Sequence, residues 1–164
     1  MSSLVTDAMR AALGTELSRT VSHPVSASDI RRWATAVYWP EPPPARYLSA
    51  EPPAPEDLNP FAWAVAEKSG AASATRLTGN DPDHTEKILG IAGPGLANQL
   101  NGGLTITYGT PMHVGDTITS VRTLDGYRER DGRLGRMLFT TTADTWTNQR
   151  GELVKRTALT LIRY

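Results

Sequence analysis

Asn101-Gly102-Gly103-Leu104-Thr105-Ile106-Thr107-Tyr108 opens a C-terminal third in which four runs of strand character follow one another with no room for a helix between them. Leu104, Ile106 and Tyr108 fall on one face of the first run, with Thr105 and Thr107 on the other, the alternation of a half-buried strand. The second run, residues 117–124, follows Pro111-Met112-His113-Val114-Gly115-Asp116 and is rich in β-branched residues. Met137, Phe139, Thr141 and Ala143 share a face in the third. In the last run Val154, Ala158 and Ile162 oppose Leu153, Leu159 and Leu161, so apolar groups stand on both faces and the strand belongs inside the sheet. Asp131-Gly132 supplies a reversal whose glycine takes positive φ without cost, and residues 148–151 supply another. The layout predicts one antiparallel meander over residues 101–164.

The length of 164 residues and ordinary apolar content make one domain, residues 1–164, the expectation, large enough to bury a core without staples. Cysteine is absent, which excludes disulfides and thiolate metal sites and fits a reducing compartment. Seventeen basic residues balance seventeen acidic ones and no long basic run occurs, so nucleic acid is not an expected partner. No apolar stretch approaches the roughly 20 residues of a membrane-spanning helix. The first residues, polar and carrying Asp7, do not read as a signal peptide. A soluble cytoplasmic protein without a membrane partner is expected.

The N-terminal part has a different period. Leu4, Val5, Ala8, Met9, Ala12 and Leu13 repeat with helical spacing and stop at Gly14, predicting a helix within residues 1–14. Residues 16–25 read as a strand. Ile30, Trp33, Ala34 and Val37 line one face of a second helix, with Ser26 or Ser28 as cap and Asp29 at its positive end. That helix must stop near Pro40, which disfavours helical geometry at Trp39. Seven of the twelve prolines fall within residues 40–55. Residues 40–57 therefore read as a stiff surface connection, with a channel wall or a docking loop as the functional alternative. The apolar stretch at residues 58–65 begins a short helix, and residues 70–84 read as a polar surface loop.

Five segments carry a resemblance: Asp29-Ile30-Arg31-Arg32-Trp33-Ala34-Thr35-Ala36-Val37-Tyr38-Trp39-Pro40, Asn59-Pro60-Phe61-Ala62-Trp63, Leu100-Asn101-Gly102-Gly103, Thr110-Pro111-Met112-His113-Val114-Gly115-Asp116 and Trp146-Thr147-Asn148-Gln149-Arg150-Gly151-Glu152-Leu153-Val154. From about residue 16 to the C-terminus the chain resembles the MaoC-like family, and within it the dehydratase domains similar to fungal fatty-acid-synthase dehydratase. The resemblance implies an α+β hotdog domain, an antiparallel sheet wrapped around a central helix and dimerised into one continuous layer.

In that family an Asp and a His, in an Asp-x-Asn-Pro-x-His pattern after the helix that precedes the substrate channel, activate water for addition across an α,β-unsaturated thioester or run the reverse elimination. The base needs a pKa near working pH, which histidine has, and the carboxylate orients the water. A backbone amide at a helix start polarises the thioester carbonyl. Laid on this chain, the pattern puts Trp39 at the Asp position, Glu41 at Asn, Pro42 at Pro and Pro44 at His. Neither catalytic group is present. The resemblance thus implies a catalytically silent subunit of an (R)-specific enoyl-thioester hydratase or dehydratase, with no metal and no cofactor. A MaoC-like catalytic subunit would pair with it, as a heterodimer or heterotetramer, and acyl-CoA or acyl-ACP would be the substrate. Phe61, Trp63 and Val65, near the start of the central helix, are the expected channel wall. Asn101, Gly102 and Gly103 are candidate substrate-binding residues, where a backbone can approach a ligand or partner closely, with a tight strand entry as the equal alternative.

The three histidines have simpler readings. His23 ends a strand. His84 lies with Asp81 and Asp83, a trio with too few ligands for a metal site. His113 sits in a turn, with a coenzyme A phosphate contact as the functional alternative. Gly93-Pro94-Gly95 lacks the lysine of a phosphate loop, and no Gly-x-Ser-x-Gly elbow occurs. Trp33 and Trp63 read as core. Two other functions stay open: a self-sufficient homodimeric hydratase or thioesterase using Glu41, Glu67 or His84, and a non-enzymatic acyl-thioester-binding protein.

Overall fold

Strands β1 (Glu16–Val21), β2 (Gln99–Tyr108), β3 (Thr119–Gly132), β4 (Gly135–Thr147) and β5 (Leu153–Arg163) make one antiparallel sheet in the order β1-β3-β4-β5-β2. Around it lie helices α1 (Asp7–Ala11), α2 (Ala27–Tyr38) and α3 (His84–Ile88), and a 3₁₀ turn at Ala45–Leu48. The computed structural model describes residues 3–63, 81–133 and 135–164. The expected central helix, with Val65 and Glu67, runs into residues 64–80, outside the described residues. Among the described residues no helix is long and apolar enough to cross a membrane.

The alternation in the sequence places the strands, but the expected meander covers three of them, not four. β3, β4 and β5 follow one another as hairpin neighbours, whereas β2 lies on the far side of β5, from Gln99↔Arg163 to Tyr108↔Lys155. The reason is the connection after β2. Gly109 N–H and Thr110 N–H donate to the carbonyls of Val154 and Leu153, at 2.9 and 2.7 Å, so the chain leaves along the start of β5. It then crosses the end of the sheet to begin β3. There Gly115, at φ 90°, donates to the Val25 carbonyl, and the buried Asp116 carboxylate accepts from His113 N–H at 2.8 Å and Gln149 Nε2 at 2.9 Å. Val-Gly-Asp is thus a stapled turn. β5, as its two apolar faces predict, sits inside the sheet.

The helices follow their caps. Ser26, rather than Ser28, caps α2: its hydroxyl accepts from Asp29 N–H at 3.0 Å and donates to the Asp29 carboxylate at 2.8 Å. α2 stops before Pro40, as expected. α1 is shorter than its apolar spacing, because Gly14, at φ 81°, turns the chain so that its N–H meets the Leu124 carbonyl and joins the sheet. β1 ends at Val21 because the Ser22 hydroxyl and Val25 N–H bond the residue 116–118 segment instead.

One face of the sheet is covered at both ends. Ile30 and Ala34 of α2 pack with Met112, Ile118 and Val154, and with Tyr47, Leu58 and Phe61 from the proline-rich side. At the other end Met9 of α1 and Val5 pack on Leu138. Beside this second cluster lies a buried ion pair. Arg163, at the end of β5, sends Nη1 and Nη2 to the Glu86 carboxylate of α3, both at 2.8 Å, and Nη2 also donates to Thr140 Oγ1 at 2.7 Å. Tyr127 donates its hydroxyl to Glu86 at 2.6 Å. Arg163 further holds the Pro82 carbonyl at 2.7 Å and the Asp83 carboxylate at 3.1 Å. Burial pushes the Glu86 carboxyl up, but hydrogen bonds from Arg163 and Tyr127 and the guanidinium charge outweigh it, leaving the group below the usual carboxylate range. Burial, then Glu86 beside it, raises the Tyr127 phenol.

Two stability measurements follow from this frame. A Cβ on Gly109 would overlap the Leu153 carbonyl, so Gly109→Ala is expected to cost about 3 kcal/mol in denaturant unfolding, the upper end for overpacking. Glu86 binds its proton less readily folded than unfolded, so its contribution is present above the unfolded carboxylate pKa and is lost as pH falls through the lowered folded value. Glu86→Gln should therefore flatten the acid limb of a Tm-against-pH curve, and at neutral pH cost about 3 kcal/mol, because the buried Arg163 keeps only Asp83 as a counter-charge among the described residues.

Candidate functional site

A cleft of about 420 Å³ lies on the covered face, between the two packed ends and beneath α3. Its floor takes Leu17 and Ser18 from β1, Arg122 from β3, Thr142 from β4 and Leu159 and Leu161 from β5; His84, Thr85 and Ile88 form its roof. The volume falls in the range of small-molecule sites, and a mainly apolar lining with a few convergent polar groups is their usual chemistry. α3 has five residues, too few to be stable alone, so its place above the cleft depends on Glu86 and Arg163.

Strand register continues the floor as rows across the same sheet face, with Ser18, Arg122, Thr142 and Leu159 lining the cleft itself and the other members lying beyond it. Leu124↔Thr142, Thr142↔Leu159 and Leu159↔Leu104 make one row, apolar but for its threonine. The adjacent row is Ser18↔Arg122, Arg122↔Asp144, Asp144↔Thr157 and Thr157↔Ile106, polar in four of its five positions. Arg122 holds Asp144 as a fork: Nε lies 3.1 Å from each carboxylate oxygen and Nη2 lies 2.9 Å from Oδ2. The two side chains are 50% and 26% exposed. The inner face continues past β5 onto β2, where Leu104, Ile106 and Tyr108 are exposed along a strand that, among the described residues, pairs on one side only.

The residues picked from sequence scatter. Trp39 ends α2 and is 78% exposed; Pro44 leads into the 3₁₀ turn, and Glu41 is exposed. None of the three lines the cleft. Phe61 is 7% exposed and packs edge-on against Trp146, ring centroids 5.0 Å apart, which makes it core. Trp63, read as core, is 53% exposed and lines a smaller groove with His23, Asp29 and Arg32. Val65 lies outside the described residues. Asn101, Gly102 and Gly103 form a bulge at the outer edge, where a Cβ on Gly102 would stand 2.7 Å from Ile162 Cγ1. Gly102 therefore serves the packing of β2 on β5. His113 is a solvated turn residue, its ring 3.8 Å from Asp116.

His84 does face the cleft, but its acidic neighbours are engaged elsewhere. Asp81 pairs with Lys87 at 2.6 Å, and Asp83 holds Arg163 and accepts from Gly95 N–H at 2.9 Å. Among the described residues no group of three metal-ligating side chains is gathered. The Arg122–Asp144 row escaped the sequence reading because its members come from separate strands. Its only local trace is a charged residue at a floor-facing position of β3 and of β4. In a separate pocket, Lys155 lies 4.0 Å over the Trp146 ring, and burial lowers its pKa despite Asp57 and Glu56.

The model of the FAS1-like dehydratase domain region matches residues 11–157. No match emerges among curated protein sequences. Among solved structures, the chain is similar to the ChsH1-ChsH2 complex from Mycobacterium tuberculosis, at 14% identity over 96% of this chain and 88% of that one, with a TM-score of 0.53. It is similar to (R)-hydratase PhaJ1 from Pseudomonas aeruginosa, at 14% identity over 92% and 81%, with a TM-score of 0.51. The truncated HadBC (3R-hydroxyacyl-ACP dehydratase) complex from Mycobacterium tuberculosis matches at 17% identity over 92% and 99%, with a TM-score of 0.48.

Proposed function

The chain belongs to the FAS1-like dehydratase family, a branch of the MaoC-like hotdog proteins, and from that premise we propose that it is the non-catalytic, channel-forming subunit of an (R)-specific enoyl-thioester hydratase or dehydratase. The observation that carries this reading is the segment after α2. Where the family places its Asp and His, this chain has Trp39 and Pro44, and neither residue lines the cleft. Addition of water to the enoyl thioester needs a base to take a proton from water as its oxygen bonds the β-carbon, and an acid to deliver a proton to the α-carbon. Such groups are worth roughly 10²–10⁴ in rate. A second hotdog subunit would supply them.

The free edge of β2 supports the pairing. Along residues 100–108 exposed Leu104, Ile106 and Tyr108, with main-chain groups that no other described strand pairs, make a template for another strand. Joining a partner there continues the sheet and covers the inner-face row at the joint, so the acyl chain lies between this subunit's floor and the partner's reacting groups. The similar ChsH1-ChsH2 structure is a complex, which fits a partner of this kind.

His84 favours a second reading, a self-sufficient homodimer. Of Glu41, Glu67 and His84, it is the one seen to line the cleft among the described residues. One experiment separates the two. The purified chain, given crotonyl-CoA and longer enoyl-CoA substrates, is expected to show no hydration above the uncatalysed rate. With a MaoC-like subunit carrying the intact Asp-x-Asn-Pro-x-His pattern, encoded beside it, hydration should rise at least ~100-fold and vanish when that subunit's His is replaced. Turnover by the pure chain would overturn the proposal, and its loss in His84→Ala would establish the second reading.

A further inference from the structure

The polar row that enters the cleft at Ser18 and Arg122 and runs on along the same sheet face through Asp144 to Thr157 is out of place for a surface that holds plain hydrocarbon, and we infer that the acyl group it accepts carries a neutral oxygen, a hydroxyl or keto group, part-way along its chain. The inference rests on the reading that the cleft holds an acyl thioester.

An alkyl chain laid over Ser18, Arg122, Asp144 and Thr157 would strip water from an ion pair and two hydroxyls and return no hydrogen bond, which is unfavourable for every polar group so covered. The Arg122 fork uses Nε and Nη2 on Asp144. A guanidinium has five N–H donors, so the Nη1 amino group remains available, with no hydrogen bond to the other described residues. Ser18 and Thr157, one at each end of the pair, add hydroxyls that donate or accept. The formal charges of Arg122 and Asp144 cancel, and Asp144 would repel a ligand carboxylate as Arg122 attracted it, so a neutral oxygen fits better than an anion. The next row on one side, with Leu104 and Leu159, keeps hydrocarbon next to that oxygen in apolar surroundings, and the row on the other side brings the rings of Trp146 and Tyr108 with Lys155 between them. The row therefore sets the position of a substituent rather than the length of a chain.

The test is isothermal titration of the purified full chain, alone and with its catalytic partner subunit, using decanoyl-CoA and its mid-chain hydroxy and keto analogues. The wild-type chain should bind at least one oxygenated ligand about tenfold more tightly, a fraction of the discrimination reached by fully buried polar sites because the pair is half exposed. The Arg122→Leu/Asp144→Leu double variant removes both charges and leaves neither unpaired, and should reverse the order in favour of decanoyl-CoA. Thr157→Val, a milder change that keeps the side-chain shape, should reduce the preference without reversing it. Equal or tighter wild-type binding of decanoyl-CoA, or an unchanged preference in the double variant, would overturn the inference while leaving acyl binding intact. Failure of all three ligands to bind, alone and in the complex, would overturn the acyl-thioester reading and this inference with it.

Discussion

Arg163 lies at the C-terminal end of β5 and is almost wholly withdrawn from water. A buried guanidinium is tolerated only with a counter-charge and hydrogen-bond acceptors on nearly every side. Glu86, Asp83, Thr140 and the Pro82 carbonyl supply them. Three of the four come from the residues around α3, so the same contacts that make the arginine bearable dock a short helix over the sheet. The roof of the cleft, including His84, hangs from the last strand. A hydrophobic contact of equal strength would have filled the space; the ion pair spans it and fixes orientation.

Much of the frame was legible because it is local. Alternation placed the strands, Ser26 and Pro40 bounded α2, and the apolar residues on both faces of β5 put it inside the sheet. What escaped was long-range. Nothing near residues 101–108 says that β2 pairs with β5 rather than β3; the bonds from Gly109 and Thr110 to β5 decide it. α1 came out short for the same kind of reason, since Gly14 is claimed by β3. Phe61 has the chemistry of a channel wall, yet its partner is Trp146, far along the chain and reached only through packing.

The candidate site divides in the same way. The absence of Asp and His after α2 is a local fact and could be read directly from Trp39 and Pro44. The polar row is a property of register: Ser18, Arg122, Asp144 and Thr157 come from four strands and meet only when every pairing is in place. A one-residue slip of β3 would send Arg122 to the opposite face. The chain therefore combines a floor with defined chemistry, an edge strand left open, and a catalytic segment emptied of titratable groups except the exposed Glu41. Those features belong together if binding and catalysis are divided between two subunits.

The joint at β2 is where that division is most exposed to measurement. Amide hydrogen exchange along residues 100–108, followed with and without the MaoC-like partner, reads directly the main-chain groups that no other described strand pairs. The account predicts that N–H groups facing away from β5 exchange fast in the isolated chain and become strongly protected in the complex. Unchanged exchange along β2 in a complex that forms and hydrates enoyl-CoA would contradict it.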